Sequence, residues 1–80
     1  MVKYKLIKIE NGWFFYEYFP EGGTTYGIVK VRQKPFRFEV VKLSDEETEY
    51  FKWYVNHLRV GFKWQATKET LKEEGFFAWY

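Results

Sequence analysis

The sequence predicts an α+β domain. It comprises a four-stranded antiparallel meander from Lys3 to Leu43, one long helix packed on it, a short C-terminal helix, and an aromatic tail or fifth strand. Three observations predict it. Strand-like runs up to Leu43 are separated by turn residues; Ser44 followed by three acids opens a stretch with helical spacing; and a quarter of the 80 residues is aromatic (4 Trp, 7 Tyr and 9 Phe). The rings answer the problem of size. A domain near 60 residues buries only about 60% of its unfolded surface, but each aromatic side chain removes roughly 150 to 250 Å² from water. Rings in this number also exceed what a small interior takes in, so part of them is expected on a contact surface.

In the first strand Lys3 and Lys5 alternate with Tyr4 and Leu6, and the phase then slips at Ile7 and Ile9, which predicts a bulge near Leu6-Ile7. Asn11-Gly12 follows, the pair that best accepts the positive φ angles of a type I′ hairpin turn. Trp13 to Phe19 forms strand two. Phe14, Tyr16 and Tyr18 occupy one face, and Trp13, Phe15 and Phe19 the other, interrupted by Glu17; two apolar faces predict a central strand. Strands three (Tyr26 to Arg32) and four (Phe36 to Leu43) are joined by Gln33-Lys34-Pro35, where proline forbids the tight primed turn. Hairpin-length connections leave sequential strands as neighbours.

Ser44 with Glu47 forms an S-x-x-E capping box, and Asp45-Glu46-Glu47 suits the positive end of a helix dipole, so a helix is expected from about Asp45. Its apolar and aromatic residues cover an arc of roughly 220°, about twice what one sheet contact requires. Lys52, Asn56, Arg59 and Lys63 fill the rest. The helix is therefore expected to touch something besides the sheet. Gly61 either ends it or is passed over. Lys68 to Glu74 reads as a short helix with Gly75 behind it, and Phe76 to Tyr80 as a fifth strand or a tail over the long helix. The expected core is Leu6, Phe14, Tyr16, Ile28, Phe38, Val40, Phe51, Tyr54 and Leu58.

Tyr18-Phe19-Pro20-Glu21-Gly22, Gly27-Ile28-Val29, an acidic-capped helix with Tyr54 and His57, and Ala78-Trp79-Tyr80 occur together here. The combination resembles a group of uncharacterised small open reading frames from low-G+C Gram-positive bacteria, their phages and mobile elements. The likeness spans most of the chain on short motifs. It implies a phage-style role, such as inhibition of a host defence protein, anti-CRISPR activity included, and it assigns no functional residue.

The residues themselves narrow the function further. A net charge of +2 offers neither a polybasic coat nor an acidic tail, and the absence of Cys removes disulfides, thiolate metal sites and cysteine nucleophiles. Residues 1–80 are expected to form one domain, in the cytoplasm, with no membrane span, since the N-terminal charges leave no apolar run. One Ser and one His do not assemble a nucleophilic triad, Ser44 being better used as a cap, and no ligand set for a metal or cofactor exists. Glu17, set among rings, is a weak acid–base candidate that more simply pairs with Lys30 or a Tyr hydroxyl. The expectation is thus a non-catalytic module that binds a protein partner or a second copy.

Two surfaces compete for that role. Trp53, His57, Val60 and Trp64 form one row beside the sheet-facing row of Tyr54, Leu58 and Phe51. Either the aromatic chain end folds over that row, or the row is an anchor strip for a partner. The alternative is single-stranded nucleic acid held by Lys30, Arg32, Lys34 and Arg37, with Phe36 and Phe38 interleaved. Residues 1–43 carry +4 and the remainder −2, which places the cations on the meander.

Overall fold

A computed structural model describes residues 1–68 and 70–79. The chain runs β1 (Val2–Glu10), β2 (Trp13–Pro20), β3 (Gly27–Arg32), β4 (Arg37–Lys42), α1 (Trp53–Lys68) and β5 (Glu74–Phe77). All pairings are antiparallel, in the order β4-β3-β2-β1-β5, so the predicted meander is present and β5 adds a fifth strand outside β1. The turn between β1 and β2 has φ of 53° at Asn11 and 81° at Gly12, as the primed turn requires. The register slips between Leu6 and Lys8, where the alternation in the sequence slips.

One face of the sheet is covered by α1, and the core lies between them. Val2, Tyr4, Tyr16, Tyr18, Val29 and Val31 come from the strands, Val55, Leu58, Phe62 and Ala66 from the helix. Phe62 is the hub, with ring centroids 4.6 Å from Tyr16, 4.8 Å from Tyr4 and 5.2 Å from Phe77. The buried tyrosines keep their hydroxyls satisfied at the rim of this core. Tyr16 Oη donates to the Lys72 carbonyl at 2.7 Å, Tyr18 Oη to Glu47 Oε1 at 2.7 Å, and Tyr4 Oη accepts from Gln65 Nε2 at 2.6 Å. Burial pushes the Tyr16 and Tyr18 phenols well above the ordinary tyrosine value, with Tyr4 adding to the first and the Glu47 hydrogen bond to the second.

The helix begins at Trp53, eight residues after the predicted start. Ser44 and Glu47 do interact, Ser44 Oγ lying 3.3 Å from Glu47 Oε1, but inside a turn that leads into an irregular segment. The Glu47 carboxylate then reaches forward and accepts the Val55 N–H at 2.9 Å, capping a helix that starts further on. One buried carboxylate thus serves Tyr18, Ser44 and the helix start together, which a helix running from Asp45 would forgo. The buried stripe of α1 is Val55, Leu58, Phe62, Gln65 and Ala66, centred about 70° round from Tyr54.

The predicted C-terminal helix is absent among the described residues, Glu69 lying outside them. From Thr70 the chain runs without helix or strand to the free edge of β1, where the Leu6 N–H donates to the Glu73 carbonyl at 2.6 Å and β5 pairs from Glu74. A strand edge supplies the hydrogen bonds that a short helix with one large apolar residue lacks the packing to hold. Gly61 does not end α1. The Phe77 ring rests on it so closely that a Cβ there would stand 2.7 Å from ring carbons.

The expected core needs three corrections. Ile28 faces away from the helix, and Val40 and Phe51 are 37% and 53% exposed. Ile28 shares its phase with Lys30 and Arg32, which look outward, so the alternation of β3 turns Val29 and Val31 inward instead. Val29 and Val31 face the helix because they stand opposite Tyr16 and Phe14.

Candidate functional site on the uncovered sheet face and the helix flank

Among the described residues no helix or strand packs on the second face of the sheet. Alternation along β2 sends Trp13, Phe15, Glu17 and Phe19 there, since Tyr16 and Tyr18 point into the core. Register then fixes their neighbours. Phe15 stands between Lys8 and Lys30, Trp13 between Glu10 and Arg32, Glu17 between Lys5 and Ile28, and Phe19 opposite Lys3. Arg37 lies beyond Arg32, and Phe76 beyond Lys3.

The cations of this face sit on its rings. Lys30 Nζ is 4.5 Å from the Trp13 ring centroid, Lys8 Nζ is 4.6 Å from Phe15, and the Arg32 guanidinium is 4.6 Å from Trp13 while it donates to the Asn11 carbonyl at 2.8 Å. Lys42 caps Tyr26 in the same way, at 4.3 Å. Lys30 pairs with Glu39 at 3.6 Å, and not with Glu17. Among the described residues Lys3, Lys5 and Arg37 form no ion pair.

Of the four predicted cations, Lys30 and Arg32 share the Trp13 ring, Arg37 is next to Arg32, and Lys34 is exposed in the turn joining β3 to β4. The predicted stacking partners are misplaced. Phe36 and Phe38 pack towards the core, Phe38 at 6.5 Å from Phe62 with Arg59 over it at 5.7 Å. Their place is taken by Trp13 and Phe15 from the neighbouring strand. The signal was present in the odd positions of β2, but only cross-strand register puts them beside Lys30 and Arg32.

The helix row is divided. At its N-terminal end Trp79 stacks flat on His57, centroids 3.8 Å apart and planes 2° from parallel, with Trp53 edge-on to both rings. At its C-terminal end Val60 and Trp64 are 69% and 56% exposed. The chain end therefore covers His57 and part of Trp53 and leaves Val60 and Trp64 open; Tyr80 lies outside the described residues. Val60 and Trp64 flank a cleft of about 560 Å³ between α1 and β5, which Phe77 and Gly75 also line.

Ser44, His57 and Tyr54 are each engaged by neighbours. Ser44 is buried against Glu47 and Tyr18, whereas His57 is engaged by Trp79, so the two hold different partners. Tyr54 donates to Glu21 Oε2 at 2.9 Å, and burial together with that bond pushes its phenol up to about 12. The N-terminal amino group 3.0 Å from Glu21 holds that carboxyl below its ordinary value, assisted by Tyr54. Among the described residues no three His, Asp or Glu side chains gather to hold a metal ion, and no helix is long and apolar enough to cross a membrane. Comparison with known proteins found no matching family model, curated protein or solved structure.

Proposed function

We propose that this chain is a non-catalytic binding protein whose uncovered sheet face takes a single-stranded nucleic acid. One observation supports this above the rest: on one face of a central strand Phe15 has Lys8 on one side and Lys30 on the other, and the next outward ring, Trp13, carries Lys30 and Arg32 on one side with Glu10 on the other. Half-buried rings offer a stacking surface to any base, and cations already gathered around them meet the adjoining phosphates. A partly covered sheet face explains the same rings as packing beneath lysine stems. It gives no reason for three cations to converge on two successive rings.

A second reading is favoured by the other open surface. Val60 and Trp64 beside the α1–β5 cleft suit a protein contact, with a host protein or a second copy, and this is the form in which an inhibitor of a host defence protein would act in the cytoplasm. Salt separates the two. Binding that neutralises about four phosphates of a single strand loses roughly 50-fold in affinity between about 50 and 200 mM salt, whereas an aromatic protein interface changes little. The test is fluorescence anisotropy of a labelled oligonucleotide with Trp13→Ala and Trp64→Ala variants. The proposal expects Trp13→Ala to weaken binding and Trp64→Ala to leave it unchanged; absence of binding at low salt overturns it.

A further inference from the structure

The uncovered face has a second aromatic end, on the far side of Glu17 from Trp13 and Phe15. Phe19, Lys3 and Phe76 stand in one cross-strand row and line a cleft of about 500 Å³ together with Lys5, with Glu74 opposite Lys5 on β5, and with the Gly22-Gly23 turn. Phe76 is 61% exposed, an unusual placement for a phenylalanine on a strand, and no described ring stacks on it. The backbones carrying Phe19 and Phe76 are two strand spacings apart, about 9.5 Å. That strand spacing leaves room for one planar base above Lys3.

A longer pattern joins this cleft to the first site. Along β2 the outward residues run Phe15, Glu17, Phe19; beside them on β1 run Lys8, Lys5, Lys3, each directly opposite its counterpart. Rings and cations thus form two adjacent tracks about 4.8 Å apart. Glu17 interrupts the track of rings and repels phosphate from it, whereas the lysine track is unbroken. Trp13 and Phe19 are six residues apart on one strand, about 20 Å, which several nucleotides are needed to cover.

We infer that single-stranded nucleic acid lies along β2 with its phosphates on Lys3, Lys5 and Lys8, and that the cleft between Phe19 and Phe76 is a second base-binding subsite. This rests on the nucleic-acid reading of the face. An acidic peptide matches the lysine track but has no rings to place at both ends of it, so the polynucleotide is the better fit.

The test compares labelled oligothymidylates, a tetranucleotide and an octanucleotide, on the wild-type chain and on Phe76→Ala, Lys5→Glu and Trp13→Ala. Circular dichroism confirms that each variant is folded. The octanucleotide is expected to bind the wild type more tightly than the tetranucleotide. Phe76→Ala should remove that gain, a loss of about 5- to 150-fold on the octanucleotide at the usual worth of one stacked base. Lys5→Glu should weaken binding and flatten its salt dependence. If Phe76→Ala and Lys5→Glu bind the octanucleotide as the wild type does while Trp13→Ala does not, the second subsite is wrong and the face reading stands. If the wild type binds neither oligonucleotide, or releases both to polyglutamate at equal charge, both readings fall.

Discussion

Replacing Glu47 by Ala should cost this domain about 3 to 5 kcal/mol, whereas replacing its neighbour Glu46 should cost no more than about 0.5 kcal/mol. From the sequence both are acids in the first turn of a helix, each worth about 0.3 to 1 kcal/mol, and Glu47 adds only a local capping-box contact with Ser44. In the structure Glu46 is exposed, and Glu47 is 6% exposed with Tyr18 Oη at 2.7 Å and the Val55 N–H at 2.9 Å on its carboxylate. Hydrogen bonds to a charged acceptor contribute about 1.5 to 3 kcal/mol each, and truncation leaves both donors buried and unsatisfied. The desolvation of the carboxylate offsets part of this sum. A domain of this length has about 4 to 12 kcal/mol in total, so the variant sits near unfolding. Urea denaturation is the assay: the midpoint should fall at unchanged slope, and the melting temperature by at least about 12 °C. Losses for Glu47→Ala and Glu46→Ala that agree within about 1 kcal/mol would refute the shared-cap argument.

Three further outcomes are expected. Gly61→Ala should destabilise although alanine favours helix by about 1 kcal/mol, because the added Cβ would stand 2.7 Å from a Phe77 ring held by Tyr4 and Phe62, an overpacking cost of about 1 to 3 kcal/mol; a higher melting temperature would show that the ring yields freely. Leu58→Ala should lose about 2 to 5 kcal/mol and Phe51→Ala far less, since Leu58 is fully buried and Phe51 half exposed, and equal losses in urea melts would contradict that placement. Glu21, its carboxyl held low by the N-terminal amino group and then by Tyr54, contributes stability that is complete above the ordinary glutamate value of 4.5 and lost as pH falls through its lower folded value. Glu21→Gln should therefore flatten the acid limb of a stability–pH curve, and an unaltered limb would argue against the pairing.

What the sequence conveyed most clearly was local. The Asn11-Gly12 turn, the bulge after Leu6 and the order of the first four strands each follow from residues a few positions apart. Errors arose where a distant partner decides. Ser44 and Glu47 carry a local helix-start signature, yet Tyr18, 29 residues before Glu47, engages the carboxylate. Ile28 is the exception: it is apolar but shares its phase with Lys30 and Arg32, and Val29 lies against the buried Tyr16, so here a local signal was overlooked. The candidate site shows the same limit: Lys30 and Arg32 were found from their own strand, but the rings beside them come from β2.

The slip between Leu6 and Lys8 acts as a phase switch within one strand. Before it, odd-numbered residues of β1 look outward, Lys3 and Lys5 among them; after it, even-numbered ones do, beginning with Lys8. An unbroken strand of the same sequence would turn Lys8 towards the helix and set Ile7 and Ile9 among the outward side chains. The extra residue at Ile7 therefore lets three lysines at unevenly spaced positions share one side of the sheet. A single-residue deletion elsewhere in β1 would be read first as a change in which side chains face the solvent, and only afterwards as a loss of stability.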